Sequence, residues 1–161
     1  MGRKPIRPHR AAVTVTKHSE RFWEVVPLAE MSVEQWESLC DRCAKCCLEK
    51  LEDEDTGQIH YTNVACALLD LDSGHCRDYC NRAHAMPDCI TLTVETLRDP
   101  RWLPETCAYR LLAEGKPLPG WHPLITGEEG SVAAAGQSIA GRAIPATAAE
   151  ELAWHLVDWV R

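Results

Sequence analysis

The sequence predicts an α+β fold, mostly helical with short strands, in one small domain organised around a cysteine-ligated metal centre. Three observations lead there. Nine cysteines crowd the middle of the chain, four of them in the run Cys40-x-x-Cys43-x-x-Cys46-Cys47. Helix-start signatures recur, whereas β-branched runs are few and short. The 161 residues, 45% apolar, suffice for one hydrophobic core and show neither an internal repeat nor a second domain.

Residues 1–18 are expected to form a disordered basic leader, ahead of a single cysteine-cluster domain over 19–161. The apolar pattern begins at Phe22, Trp23, Val25 and Val26, and Pro27 interrupts it. Ser32-Val33-Glu34-Gln35 has the form of a capping box. A helix should therefore start at Val33, place Trp36 and Leu39 on one face, and run into Cys40. Residues 53–57 read as an acidic turn and 59–62 as a short strand with Ile59 and Tyr61 on one side. Residues 64–71 fit either a buried strand or a helical turn, broken by Ser73-Gly74. The β-branched stretch 90–94 predicts a second strand.

Pro104 suits the first turn of a helix over 104–114, with Gly115 as its stop. On it Cys107 and Leu111 share a face. Three prolines make 116–123 an extended, pinned loop. The Gly-, Ala- and Ser-rich stretch 127–146 is expected to be a flexible loop. Thr147-Ala148-Ala149-Glu150 resembles a second capping box and predicts a terminal helix over 147–160, bearing Leu152, Leu156 and Trp159. Most of the six tryptophans are expected to be core anchors.

Charge narrows the partners. Residues 1–17 carry Arg3, Lys4, Arg7, Arg10 and Lys17 and no acid, whereas the rest of the chain carries 12 basic and 24 acidic residues. An acidic body argues against nucleic acid, because phosphate binding needs a basic surface. No stretch approaches the roughly 18 apolar residues that mark a membrane helix. The charged N-terminus lacks the apolar core of a secretory signal, so a cytoplasmic location is expected. Thiols are held reduced there, and clustered cysteines in a reducing compartment read as metal ligands or redox groups, not as a disulfide scaffold.

Successive x-x spacings close a loop around one ion or cluster at little cost in chain entropy. Bacterial ferredoxins use a related C-x2-C-x2-C run, and zinc sites join distant C-x2-C pairs. If the run is helical, neighbouring side chains diverge by ~100°. Cys40, Cys43 and Cys47 then face one way and Cys46 another. In that geometry Cys46-Cys47 either feeds two metal sites or keeps one member outside the ligand shell. Cys66, Cys76, Cys89 and Cys107 are the candidates for the remaining ligands. With the first four they make eight thiols, enough for two four-thiolate sites. Cys80 suits a buried apolar role better than ligation. Of the histidines near the cysteines, His60, His75 and His84, the best candidate to replace a thiolate is His75, which adjoins Cys76. Arg42, Lys45, Lys50 and Arg77 are placed to offset thiolate charge.

Other motifs fail on chemistry. Glu52-Asp53-Glu54-Asp55 resembles the start of a calcium loop, but the twelfth position would be Val64, which cannot ligate. No phosphate-binding loop, dinucleotide fingerprint or nucleophile elbow is present. No βαβ pattern precedes Cys40-x-x-Cys43, which weakens a thioredoxin-type reading. No residue identifies itself as a general acid or base, so a non-catalytic role is expected ahead of an enzymatic one.

Longer stretches extend the pattern. They include Trp36-Glu37-Ser38-Leu39-Cys40, Asp53-Glu54-Asp55-Thr56, Tyr61-Thr62-Asn63-Val64-Ala65-Cys66, Cys76-Arg77-x-Tyr79 and Pro87-Asp88-Cys89-Ile90. Trp102-Leu103-Pro104-x-Thr106-Cys107-Ala108-Tyr109-Arg110-Leu111-Leu112-Ala113-Glu114-Gly115 and Leu118-Pro119-x-Trp121-His122-Pro123-Leu124 complete them. Over residues 20–145 the chain resembles the bacterial CxxCxxCC cysteine-cluster family, described as zinc- or iron-chelating, and within it the YcgN-like branch. The resemblance carries over Cys40, Cys43, Cys46, Cys47, Cys66, Cys76, Cys89 and Cys107, and leaves out Cys80. Many members have Gly where this chain has Ala44, which favours helix through the motif here.

The function this predicts is a metal-binding protein whose cysteine cluster holds zinc or iron, an iron–sulfur cluster included. Its role would be metal handling or redox sensing, with a protein redox partner and with neither nucleic acid nor membrane as partners. Thiolate-rich ligation with few plausible histidines leans toward iron. The alternatives are a cluster-dependent enzyme of group or methyl transfer, with Tyr109-Arg110 and Trp121-His122 lining a pocket, and a structural-zinc interaction protein.

Overall fold

A computed structural model describes residues 21–161, and the basic leader expected over 1–18 lies outside the described residues. Within them six short helices accompany a three-stranded sheet, an α+β arrangement. Helix α1 (Phe22–Val25) ends where Val26 turns extended ahead of Pro27. Helix α2 (Val33–Ser38) starts where the sequence places it. The Ser32 hydroxyl accepts from the Gln35 amide at 3.2 Å, and the Gln35 side chain accepts from the Ser32 amide at 2.9 Å. This reciprocal capping satisfies two amides that a helix start otherwise leaves unpaired.

The cysteine run leaves the helix immediately. Arg42 and Ala44 both take left-handed backbone, at φ 58° and 60°, and only a single 3-10 turn follows over Lys45–Cys47. The helix expected through the motif is therefore absent. Strand β1 (Leu48–Glu52) follows and pairs antiparallel with β2 (Ile59–Ala65) across a bulge between Leu48 and Lys50. The acidic turn between them is organised by Asp53, whose Oδ1 accepts from the amides of Asp55 and Thr56 and from the Thr56 hydroxyl. Gly57, at φ 68°, closes it. The expected strand over 59–62 thus extends to Ala65 and absorbs the start of the ambiguous 64–71 stretch.

Helix α3 (Arg82–Ala85) precedes the β-branched stretch 90–94, which forms no strand. Thr93 and Thr96 explain the difference. Each hydroxyl accepts from the other residue's amide, at 2.9 and 3.2 Å, which turns the chain into a 3-10 segment at Thr96–Arg98. Side-chain hydroxyls that bind local backbone compete with strand pairing. Helix α4 (Ala108–Ala113) begins later than predicted, because Cys107 is still extended. It ends as predicted at Gly115, φ 69°, with the amides of Gly115 and Lys116 bonded back to the carbonyls of Leu112 and Leu111.

Helices α5 (Pro123–Thr126) and α6 (Ser131–Ala134) follow, and Val132 and Ile139 in this part of the chain are buried. Strand β3 (Ile144–Pro145) lies parallel to the end of β2, giving the order β1-β2-β3. The terminal helix expected over 147–160 is replaced by 3-10 turns at Ala146–Ala148 and Leu152–His155. Leu156 then pairs with Thr62, and the Val157 amide donates to the Tyr61 carbonyl at 2.9 Å. The short β3 covers only the end of β2, so the tail pairs with backbone groups of β2 that β3 does not reach.

Two apolar clusters result. One joins Phe22, Trp23, Leu39, Leu97, Leu103, Ala108, Tyr109 and Leu118. The other lies on the sheet and joins Ala44, Leu48, Tyr61, Ala65, Leu69, Ile139 and Val160. Leu39 belongs to the first and Ala44 to the second, so the cysteine run crosses the seam between them. No helix among the described residues is long and apolar enough to cross a membrane.

Candidate metal centre

The cysteine run is pinned before it begins. The Tyr109 hydroxyl donates to the Trp36 carbonyl at 2.8 Å, and the rings of Trp36 and Tyr109 pack 5.0 Å apart. His122, with 0% exposure, uses both ring nitrogens. Nδ1 accepts from the Leu124 amide at 3.1 Å, which leaves Nε2–H to donate to the Leu39 carbonyl at 3.1 Å. These bonds catch the carbonyls at the end of α2 and set the direction in which Cys40 departs. Within the run, Asp41 Oδ1 accepts from the Cys43 amide at 3.0 Å, and the Ile139 amide donates to the Cys43 carbonyl at 3.2 Å. Lys45 is buried and donates to Thr106 Oγ1 and Gln137 Oε1. The left-handed residues between them cost about 1–3 kcal/mol each, which these tertiary bonds offset.

All nine cysteines are free thiols. Cys46 and Cys47 place their sulfurs 3.9 Å apart. A tetrahedral zinc with ~2.3 Å sulfur bonds has an edge of roughly 3.8 Å, so the pair stands at a separation that one ion spans. The α-helix expected to turn the two thiols apart is replaced here by the 3-10 turn Lys45–Cys47, in which the sulfurs stay this close.

The thiols fall into two neighbourhoods. Burial pushes the Cys40 thiol up to about 12, with the Cys46 charge next and Cys107 and Asp41 contributing. Burial likewise raises Cys107 to about 12, again with Cys46 and Asp41 adding to it. Cys43 is raised well above an ordinary thiol by burial, then by Asp41 and Cys46. Cys46 is raised by its hydrogen bond to Cys47, then by burial and the Cys47 charge. Cys40 and Cys46 are exposed as residues, yet the protein around their thiols desolvates the sulfurs. In the second neighbourhood burial raises Cys66, and the charges of Glu49, Cys89 and Cys76 add to it. The Cys66 amide donates to the Cys47 carbonyl at 2.8 Å, and Leu69, just beyond Cys66, pairs with Cys76. The Cys46 charge thus acts on Cys40, Cys43 and Cys107, and Cys47 adjoins Cys66.

Two of the four expected counter-charges face these thiols. Lys50 Nζ donates to the Cys46 and Leu48 carbonyls at 2.7 Å, sits 5.3 Å over the Tyr61 ring and is attracted by Cys46, Cys47 and Cys66. Lys45 is attracted by Cys43 and Asp41. Arg42 instead reaches His75 Nε2 at 3.0 Å, and Arg77 pairs with Asp70 at 3.5 Å. The contact from Arg42 engages one of the two ring nitrogens of His75. Cys80 is exposed, contrary to the buried apolar role expected of it.

Among the described residues, no three Cys, His, Asp or Glu side chains already converge as a ligand set. The donor chemistry still fits a soft metal ion. Free thiols adjoin one another, and Asp41, 8% exposed, keeps a buried Oδ2 without any hydrogen-bond partner beside them. Asp41 lies inside the motif, and no spacing rule singled it out. The residues expected to line an enzymatic pocket have other tasks. Tyr109 and His122 hold backbone carbonyls, and Arg110 bonds Glu114 at 2.8 Å and the Leu103 carbonyl at 2.6 Å. Two cavities of about 470 Å³ lie elsewhere, one beside His60, Arg101 and Arg161 and one beside Trp23, Leu28 and Leu112, and neither is lined by a cysteine.

Residues 39–108 match the CxxCxxCC family model, described as "Putative zinc- or iron-chelating domain". The chain is 52% identical over 147 residues to a UPF0260 protein of Parvibaculum lavamentivorans, covering 90% of this chain and 96% of that protein. It is 52% identical over 145 residues to a UPF0260 protein of Gluconobacter oxydans, covering 90% of this chain and 89% of that one. A UPF0260 protein of Rhizorhabdus wittichii is 55% identical over 137 residues, or 85% of this chain and 94% of that protein. No solved structure matches.

Proposed function

The chain belongs to the UPF0260 family and carries a CxxCxxCC domain, and from that membership we propose that it is a cytoplasmic metal-binding protein whose thiols hold iron, with metal handling or redox sensing as its role. The observation that carries the reading is the pair of thiol neighbourhoods meeting at Cys46 and Cys47, 3.9 Å apart. Cys46 and Cys47 supply the donors where the two meet, with Cys40, Cys43 and Cys107 on one side of the pair and Cys66, Cys76 and Cys89 on the other. Soft thiolate donors suit iron, an iron–sulfur cluster or zinc. The thiolate-rich set favours iron, which when bound supplies one-electron chemistry.

The chain's own residues prepare the site. Burial and the charge of neighbouring thiols raise Cys40 and Cys107 to about 12, so loading these two releases protons and tightens as pH rises. Lys45 and Lys50 offset the negative charge that thiolates accumulate. The bonds from Tyr109 and His122 fix where the run begins. A centre that cycles between redox states would exchange electrons with a protein partner.

Purification without oxygen, followed by an ultraviolet–visible spectrum and analysis of metal and acid-labile sulfide, tests this. Bound iron is the expected result, with broad absorption near ~400 nm and sulfide if the iron is in a cluster. Stoichiometric zinc without iron would keep the thiol site and overturn the choice of metal. Folded protein carrying neither metal nor sulfide would overturn the reading itself.

A further inference from the structure

Asp41 is a buried carboxylate with half its capacity unused. Its Oδ1 accepts from the Cys43 amide at 3.0 Å, whereas Oδ2 has no partner and the residue is 8% exposed. A buried anionic oxygen without a partner is costly unless a cation meets it. The neighbouring buried cation feels the Asp41 charge but forms no ion pair with it, and the Lys45 ammonium makes its hydrogen bonds to Thr106 and Gln137. Asp41 stands between Cys40 and Cys43 in the run and is bonded to the Cys43 amide, and no three ligating side chains yet converge around it, so a bound ion would draw them together. The Asp41 charge acts on Cys40, Cys43, Cys46 and Cys107, raising each.

We propose that Asp41 Oδ2 is a metal ligand, adding an oxygen donor to the thiols of Cys40, Cys43, Cys46 and Cys107. This inference rests on the metal-binding reading above and goes beyond it, because the cysteine pattern implies sulfur donors alone. Oδ1 keeps its bond to the Cys43 amide, so one side chain both shapes the left-handed turn and reaches the ion. A mixed sulfur–oxygen set also shifts preference toward harder ions than four thiolates would choose, which suits iron.

X-ray absorption of the full-length protein loaded with Zn2+ tests the idea without a variant. The expected spectrum contains an oxygen shell at ~2.0–2.2 Å beside sulfur at ~2.3 Å. Asp41→Asn supplies the second readout, because the amide oxygen can still accept from Cys43 while the charge is gone. Zn2+ affinity, measured by chelator competition, should fall at least about tenfold. The metal-free variant should melt no lower than the metal-free wild type, since a buried unpaired charge is removed. A shell of sulfur alone, or unchanged Zn2+ affinity in Asp41→Asn, overturns the inference and leaves the metal-binding reading intact. A wild-type protein that takes up neither Zn2+ nor Fe2+ overturns both.

Discussion

His122 sits with no solvent contact, and its ring is fixed as the neutral Nε2–H form by the Leu124 amide and the Leu39 carbonyl. Burial lowers its pKa below 6.5, outweighing the Leu39 carbonyl and the Asp41 charge, which favour the cation. The stability it contributes is therefore full above about pH 6.5 and is lost as pH falls below that value. Denaturant unfolding of wild type should show that acid-side slope, and His122→Ala should flatten it. The same variant should lose about 2–4 kcal/mol at pH 7, from a cavity and two unmet backbone groups. Ala44 makes an opposite point. Its identity suggested helix, yet it is left-handed at φ 60°. Ala44→Gly should therefore leave stability within about 1 kcal/mol of wild type, while Ala44→Val should lose at least about 2 kcal/mol. A helical motif would rank them the other way, with Gly worse than Val. Backbone handedness here is imposed by Asp41, Ile139 and Lys45 from outside the residue, and a residue's own preference carries no record of that.

Elements whose signals are local were legible. The Ser32–Gln35 box, the Asp53 turn and the Gly115 stop each depend on residues within a few positions, and each forms as read. Ser32→Ala should cost about 1 kcal/mol and loosen the helix that leads into Cys40, measurable by thermal unfolding. Elements decided at a distance were not legible. Residues 90–94 have strand composition, but Ile90 and Val94 stay exposed while the paired threonines turn the chain. Residues 147–160 have helical composition, but the tail spends its backbone on β2 through Leu156 and Val157. Val157→Pro removes the amide that meets the Tyr61 carbonyl and should cost about 1–3 kcal/mol in denaturant unfolding. If 147–160 were instead a helix, that substitution would cost more, about 3 kcal/mol or above.

At the scale of the molecule, the cysteine spacing announced a metal centre, and the fold explains why the thiols are spread so widely. Cys40 follows the helical core, Cys47 and Cys66 sit at paired strand ends, and Cys107 starts α4, so a bound ion would tie together parts that packing holds only in two separate clusters. The division of the thiols between neighbourhoods was not legible, because it depends on the hairpin that carries Cys47 to Cys66. Metal should raise the melting temperature of the whole domain, and a chelator should lower it. Thiol reactivity, counted with a soluble disulfide reagent before and after metal loading under anaerobic conditions, tests the central claim most directly. Metal should protect the eight cysteines other than Cys80, and Cys80, exposed and outside both neighbourhoods, should still react. Equal reactivity of all nine with and without metal would contradict the account.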